Sequence, residues 1–149
     1  MNTIESITKV LIKSNVGFEI ISHNKAIKTK EDAEAYFQIE ETAPTLLLKT
    51  DKGIYSLIVS GIRAKVDFKQ IKKLLKCKNL TLMDKNEVQE MFKMEVGSIP
   101  LVGLDLPTIF DNILLDYEFV YGGCADFYKT LKIRPEDLTK VNNVVLFFD

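Results

Sequence analysis

Histidine, cysteine and tryptophan are scarce in this 149-residue sequence, which contains one, two and none of them, respectively. With His23 as the single histidine, a zinc site built on several histidines is excluded by count. The familiar Cys/His and Ser/His catalytic pairs are scarcely available for the same reason. Cys77 and Cys124 form no Cys-x-x-Cys motif. We therefore expect free thiols, no metal and no cofactor.

Long hydrophobic runs are absent as well. No apolar stretch approaches the length of a membrane span, and the N-terminal residues show no signal-peptide pattern. We expect a cytoplasmic protein without a membrane partner, in a compartment that keeps its thiols reduced. The 46% of hydrophobic and 28% of charged residues are typical of an ordinary globular protein, and the length predicts one domain over residues 1–149.

Charge of neither sign dominates, because 20 basic and 21 acidic residues give a formal net charge of -1. Any RNA contact must therefore come from a local patch. One such patch runs from Arg63 to Lys78, where seven basic residues accompany one acid, Asp67. This face is either the solvated side of an amphipathic helix, the commoner case, or a surface that contacts RNA phosphates. The lysines that would share it on a helix are Lys69, Lys72, Lys73 and Lys76.

Capping signals and hydrophobic periodicity predict a mixture of helices and strands. Four helix starts are indicated by Asn2 with Glu5, Thr29 with Asp32, Asp67 alone, and Asp84 with Glu87. The helix after Asp67 should bury Phe68, Ile71, Leu74 and Leu75. Strands are expected at 18–22, 45–49, 54–60, 80–83, 108–110, 117–121, 127–133 and 144–148, with a short helix at 135–138. Because the two kinds of element do not alternate strictly, we predict an α+β fold with a mixed β-sheet flanked by helices.

Three features could carry chemistry, and each also has an ordinary structural explanation. Lys49 ends an apolar strand just before a turn, where it is either a solvated strand end or a cation at the rim of a pocket. The loop Gly97–Gly103 contains Pro100 and could bring backbone N–H groups close to a ligand, although a plain connecting loop is commoner. Gly122 and Gly123 follow a strand and indicate either a tight turn or a ligand wall.

The order of these features resembles the YbaK and prolyl-tRNA synthetase-associated family of tRNA editing domains over nearly the whole chain. No single motif decides this, but the collinear set is fairly specific. The matching segments are His23, Thr29–Ala33, the strand Thr45–Lys49 with its terminal lysine, the G-x-x-P-x-x-G loop Gly97–Gly103, Asp111–Tyr117, Gly122–Gly123 and Arg134–Leu138. The chain departs from the usual pattern at Leu101 and Val102 in the loop and at Cys124.

The resemblance implies a small hydrolase that removes a wrong amino acid from tRNA, such as cysteine or alanine from tRNA(Pro), with an aminoacyl-tRNA synthetase as a further partner. Members need no metal and no catalytic triad. By this resemblance Lys49 is the catalytic residue, whereas the tRNA contact of Lys69, Lys72, Lys73 and Lys76 is predicted from the basic face that they share. The implied substrate-binding residues are His23, Gly97, Ser98, Ile99, Pro100, Gly103, Gly122 and Gly123.

Two other functions remain open at this point. The same pocket and lysine face could hold tRNA, or dock on a synthetase, without catalysis. The pocket could also have been adapted to a free amino acid or a nucleotide. Salt-sensitive tRNA binding without turnover would indicate the first, and thermal stabilisation by such small ligands would indicate the second.

Overall fold

A computed structural model describes residues 3–149. Its α-helices are α1 (Ile4–Lys13), α2 (Lys30–Glu34), α3 (Phe68–Leu75), α4 (Lys85–Phe92) and α5 (Pro135–Val141). Its strands are β1 (Phe18–Ser22), β2 (Thr45–Thr50), β3 (Gly53–Ile58), β4 (Leu80–Leu82), β5 (Pro107–Asp111), β6 (Val120–Gly122), β7 (Lys129–Ile133) and β8 (Asn143–Phe148). Short 3-10 helices lie at Ile39–Glu41 and Asn112–Asp116.

The strands form two sheets. The larger has the order β4-β2-β3-β5-β8, with antiparallel pairing around β2 and parallel pairing of β5 with β3 and β8. The smaller is antiparallel, with the order β1-β7-β6. The predicted α+β fold with a mixed sheet is confirmed, and the separate small sheet is an addition to it.

The two sheets are joined at a short bridge. Thr42 pairs in parallel with Tyr121, and the Ala43 N–H donates to the Tyr121 carbonyl at 2.8 Å. Beneath this junction a single buried cluster combines Ile58 and Phe110 of the large sheet with side chains of the small one. The small-sheet side chains are Val120, Leu131 and Ile133. The junction therefore brings β2, β3, β6 and β7 together around one place.

The two faces of the large sheet are covered by different helices. On β2, Leu48 packs in a cluster with Ile71 of α3, whereas Leu47 packs in a cluster with Val88 of α4. Because side chains alternate between the faces of a strand, Leu46 shares the α3 face with Leu48, and Lys49 shares the α4 face with Leu47.

The helix caps were predicted well, with one shift. Thr29 with Asp32 and Asp84 with Glu87 form capping boxes, and the Asp67 side chain accepts from the N–H groups of two residues in the first turn of α3. At the N-terminus, Asn2 lies outside the described residues. There the box is formed by Thr3 and Ser6, because the helix begins at Ile4 and its cap is the preceding residue.

Several element bounds differ from the predictions; β3, for example, is Gly53–Ile58 instead of 54–60, and β7 is Lys129–Ile133 instead of 127–133. Helix α2 ends at Glu34, and Tyr36 and Phe37 follow it. The strand predicted at 117–121 is the shorter β6, preceded by the 3-10 helix Asn112–Asp116. Asp111 causes this change, because its carboxylate accepts from the Ile113 N–H and starts that turn.

The predicted burial of Leu74 is wrong, since 45% of this residue is exposed. Helix α3 contacts the sheet through Phe68, Ile71 and Leu75, and Leu74 lies beside that stripe. Cys77 and Cys124 are both free, as expected from the sequence, and both are buried. No helix within residues 3–149 is long and apolar enough to cross a membrane.

Replacing Ile71 and Leu74 separately by alanine tests how α3 packs. Ile71 is fully buried, so Ile71→Ala should lower the free energy of unfolding by about 2–5 kcal/mol. Leu74→Ala should cost less than about 1 kcal/mol, because much of that side chain is already in water. Urea denaturation of both variants gives the comparison, and equal losses would show that the packing face of α3 is misassigned.

Candidate functional site

A cleft of about 310 Å³ opens where the two sheets meet. One wall is formed by α2 and the segment before it, and another by the ends of β2 and β3 and the loop that leads to α3. The third is formed by β6, β7 and the segment between them. The polar and charged lining residues are Lys28, Thr29, Lys30, Thr42, Ser60, Arg63, Asp126, Lys129 and Thr130.

Positive charge is concentrated in this cleft. Lys28, Lys30, Arg63 and Lys129 line it, against the single carboxylate of Asp126. Lys28 is held over the Phe127 ring, with Nζ 5.1 Å from the ring centroid. Since the whole chain has a net charge of -1, the cleft is a local exception that would attract an anionic ligand.

The floor of the cleft is apolar and aromatic. Phe37 stacks on Tyr121 with the ring centroids 4.5 Å apart, and both residues line the cleft. Ile39, Pro44 and Leu46 add aliphatic surface beside them. The cleft thus combines a cationic rim with an apolar floor, which suits a ligand with one charged and one small apolar part.

The Arg63 side chain is fixed by the buried carboxylate of Asp111. Arg63 Nε and Nη2 donate to the two carboxylate oxygens at 2.6 and 2.7 Å, and Asp111 is fully buried. The Ser60 and Ile113 N–H groups donate to the same carboxylate at 2.9 and 3.2 Å. Hydrogen bonding to Asp111 raises the pKa of the Arg63 guanidinium above its ordinary value. Arg63 is therefore a permanently charged and well-positioned part of the cleft wall.

The two glycine features meet in space. A Cβ on Gly123 would collide with the Ile99 carbonyl, so only glycine permits this contact. The Leu101 N–H donates to the Gly123 carbonyl and the Ala125 N–H to the Ser98 carbonyl, each at 3.0 Å. The loop Gly97–Gly103 therefore packs directly behind the wall that Gly123 forms.

These contacts divide the predicted glycine-loop residues into two groups. Gly97, Gly122 and Gly123 line the cleft. Behind the wall lie Ser98, Ile99 and Pro100, which are buried, whereas Gly103 is exposed and outside the lining. The substrate-binding role of the second group stays a prediction, and their position indicates that they support the wall.

His23 lies behind the cleft and reaches it through another residue. Its Nδ1 lies 2.7 Å from the Lys25 carbonyl oxygen, and its Nε2 lies 3.1 Å from Thr130 Oγ1. Thr130 lines the cleft and is 6% exposed, whereas His23 is outside the lining. The substrate contact predicted for His23 stays a prediction, and in the structure His23 is connected to the cleft through its hydrogen bond with Thr130.

Lys49 is separated from the cleft. It lies on the α4 face of β2, where Nζ donates to the Glu87 carboxylate, and it is not part of the cleft wall. This hydrogen bond is the largest cause of a lowered pKa of the Glu87 carboxyl group. The catalytic role that the resemblance implies for Lys49 stays a prediction, and the arrangement in the cleft gives it no support.

The lysines of α3 form a face that starts near the cleft. Arg63 and Val66, just before the helix, line the cleft, and Lys69, Lys72 and Lys73 on the helix are exposed. Lys76 is exposed as well and forms the C-cap in a left-handed conformation. We call these four lysines the α3 lysine face. With a rise of about 1.5 Å per residue, the face extends roughly 10 Å along the helix.

Cys124 does not offer a nucleophile. It is fully buried, and this burial raises the pKa of its thiol to about 11. At neutral pH the group is therefore a thiol and not the reactive thiolate.

Sequence reasoning missed the lysines at the rim and Thr130. Lys28 and Lys30 lie about 100 residues before Asp126, Lys129 and Thr130 in the chain, and only the sheet junction brings the two groups together. Lys28 and Lys30 flank the Thr29 cap, so they read as ordinary polar residues at a helix start. No local spacing could have identified the group.

An α+β domain with a cationic cleft walled by glycine backbone is suited to an anionic ligand of limited size. A family model described as "Aminoacyl-tRNA editing domain" matches residues 24–141, so the chain belongs to the aminoacyl-tRNA editing domain family. This confirms the family resemblance. No curated protein matches the chain significantly.

Solved structures show the same fold at low sequence identity. The hypothetical protein APE2540 is 23% identical, with a TM-score of 0.86, and the match covers 95% of this chain and 97% of that protein. A protein proposed as a trans-editing enzyme for prolyl-tRNA synthetase is 20% identical with a TM-score of 0.83, and 96% of this chain covers 93% of it. A proposed signal transduction protein from Marinobacter aquaeolei VT8 is 18% identical with a TM-score of 0.68. This match covers 97% of this chain but only 30% of that longer protein.

Removing the buried carboxylate should weaken the cleft wall. Asp111→Ala should lower the free energy of unfolding by about 3 kcal/mol, because Arg63 and two backbone N–H groups lose their acceptor. The exposed Asp116 is the matched control, and Asp116→Ala should change stability by less than about 0.5 kcal/mol. Chemical denaturation measures both, and similar values for the two variants would contradict the structural role of Asp111.

Proposed function

We propose that this protein hydrolyses the ester bond of mischarged aminoacyl-tRNA in the cleft, acting in trans on tRNA released by a synthetase. The observation that carries the proposal is the combination of three lysines and the Asp111-paired Arg63 with a wall of glycine backbone in one small cleft. Membership of the aminoacyl-tRNA editing domain family supports it. The cations suit the phosphates at the end of tRNA, and the glycine wall allows close approach of the reacting ester.

The reaction needs no side-chain nucleophile. A water molecule adds to the ester carbonyl carbon, the bond from that carbon to the ribose oxygen breaks, and the ribose oxygen takes up a proton. The products are a free amino acid and an uncharged tRNA. Because an ester is already activated relative to an amide, positioning and stabilisation of the oxyanion can supply most of the rate enhancement. Neither a thiol nor an imidazole is among the residues that the structure places in the cleft wall.

The two parts of the cleft suit the two parts of the substrate. The rim lysines Lys28, Lys30 and Lys129 would bind the terminal phosphate and ribose. The apolar floor around Phe37 and Tyr121 would receive the amino-acid side chain. A cleft of about 310 Å³ that holds both favours a small side chain, such as that of cysteine or alanine. Such a site excludes bulky residues by size but separates near-isosteres poorly.

The α3 lysine face would extend the contact to tRNA beyond its terminal nucleotide. It follows Arg63 and Val66 of the cleft wall in the chain, and its four lysines are exposed. Lysines there would pair with successive backbone phosphates without reading sequence.

A non-catalytic tRNA- or synthetase-binding module is the second candidate. It is favoured by one observation: Lys49, the lysine to which the resemblance assigns catalysis, lies outside the cleft wall and is paired with Glu87. In that case the cleft would hold the end of tRNA without turning it over.

Alanine variants of the rim lysines decide between these possibilities. Lys28→Ala and Lys129→Ala should each lower kcat/KM about tenfold on mischarged tRNA, because each removes one charge-assisted contact to substrate. Deacylation of a panel of mischarged tRNAs is the measurement, and it should include Cys-tRNA(Pro) and Ala-tRNA(Pro).

Lys49→Ala is the matched control, and it should retain the activity of the unaltered protein. Loss of activity in Lys49→Ala with full activity in both rim variants would restore the catalytic role of Lys49 and remove the cleft assignment. Tight tRNA binding by the unaltered protein without hydrolysis of any panel member would establish the non-catalytic alternative.

The salt dependence of tRNA binding tests the α3 lysine face. Replacing Lys69 and Lys73 together by alanine should weaken binding and reduce the slope of log K against log salt by about 0.7–0.9 per lysine. The control replaces Lys9 and Lys13, which are also exposed and four residues apart, on α1. If both pairs change the slope equally, or neither does, the α3 lysine face has no specific part in binding.

A further inference from the structure

The hydrogen bonds around His23 fix which way its neighbour Thr130 donates. The Lys25 carbonyl oxygen can only accept, so the His23 Nδ1 that lies 2.7 Å from it must carry the hydrogen. In the neutral ring Nε2 then has a free lone pair and no hydrogen. Thr130 Oγ1, 3.1 Å away, must therefore donate its hydroxyl hydrogen to Nε2.

This direction leaves Thr130 with lone pairs and no hydrogen to offer in the cleft. The residue lines the cleft and is 6% exposed, so its hydroxyl is held in a nearly closed environment. The surroundings of His23 fix the arrangement further. The His23 and Tyr36 rings lie 5.0 Å apart, and the Tyr36 hydroxyl accepts from the Lys25 N–H at 3.1 Å.

We infer that Thr130 is a specificity-determining residue that accepts a hydrogen bond from a donor next to the scissile ester, and that His23 is its positioning residue. The inference rests on the proposed function, because it assigns an aminoacyl ester to the cleft. Two donors flank such an ester: the α-ammonium group of the amino acid and the neighbouring hydroxyl of the terminal ribose. Both present an N–H or O–H group to an acceptor.

The charged residues of the cleft lining supply mainly hydrogen-bond donors. Lys28, Lys30, Arg63 and Lys129 can only donate, and they cannot satisfy an ammonium or hydroxyl hydrogen. Asp126 is the single lining carboxylate, and one of its oxygens already accepts from the Tyr128 N–H at 2.8 Å. A substrate lacking the matching donor would leave Thr130 desolvated and unpaired, which is the way polar sites reject analogues.

The tautomer of His23 can be measured directly, because it is the only histidine in the chain. Nitrogen-15 NMR of the ring in the folded protein, at a pH where the ring is neutral, should show hydrogen on Nδ1 and none on Nε2. Thr130→Val should shift the Nε2 resonance more than the Nδ1 resonance. A ring with its hydrogen on Nε2 would overturn the inference, whatever the protein's activity.

The functional role is tested by a double-mutant cycle. Thr130→Val should lower kcat/KM about tenfold, and Thr130→Ser, which keeps the hydroxyl, should restore it to within about threefold. His23→Phe keeps an aromatic ring without the hydrogen bonds and should cost about as much as Thr130→Val. If His23 acts through Thr130, the double variant should be no slower than either single variant. Additive losses would overturn the positioning role of His23, and melting temperatures show that each variant is folded.

Modified substrates identify the donor. One substrate carries a deaminated acyl group, and the other lacks the free hydroxyl of the terminal ribose. The kcat/KM of the unaltered protein should be about tenfold lower on one of them, and Thr130→Val should not lower kcat/KM any further on that same substrate. Loss of this coupling for both substrates would overturn the inference.

Failure of the proposed function gives a different result. If the unaltered protein hydrolyses no mischarged tRNA, the double-mutant cycle is measured by binding instead. The quantity is then the Kd of each variant for a non-hydrolysable analogue in which an amide replaces the ester. Coupled losses of affinity at His23 and Thr130 would then support the inference while the deacylase proposal fails. Uncoupled losses, or no binding of the analogue at all, would overturn the inference as well.

Discussion

The buried carboxylate of Asp111 is the interaction on which the cleft depends. A fully buried carboxylate is tolerated only when it is paired and hydrogen-bonded, and Asp111 meets this requirement with Arg63 and the N–H groups of Ser60 and Ile113. These partners belong to the segment after β3 and the 3-10 helix after β5. Satisfying one charge therefore fixes the loop before α3 against the large sheet, and with it one wall of the cleft.

The opposite wall depends on close backbone packing instead of charge. Gly123 lets the loop Gly97–Gly103 lie against β6, and the bridge between Thr42 and Tyr121 holds β6 beside the large sheet. A charged wall and a backbone wall thus meet at the sheet junction. Because Arg63 is largely neutralised by Asp111, the positive potential of the cleft comes mainly from its lysines, which remain free to meet an anionic ligand.

Local features were predictable from the sequence, and the assembled site was not. The caps at Thr29, Asp67 and Asp84 were found because a side-chain oxygen and the N–H groups it accepts from lie within a few residues. The two glycine features were found for a similar reason, since a glycine at a loop or strand end is itself a local sequence signal. Lys129 and Thr130 leave no such trace, because their importance arises only when β7 is paired with β1 and β6.

Lys49 is close to two cleft-lining residues in sequence but is separated from the cleft in space. Pro44 and Leu46 line the cleft, but Lys49 lies roughly 16 Å beyond Pro44 along β2, at about 3.3 Å per residue, and on the other face from Leu46. Although Lys49 is near Pro44 and Leu46 in sequence, its charge therefore lies outside the cleft that those two residues line. The cations that do reach the cleft come from the start of α2, the loop before α3 and β7. The proposed deacylation requires a positive potential and a rigid wall but no particular nucleophile, so residues dispersed along the chain in this way would suffice for it.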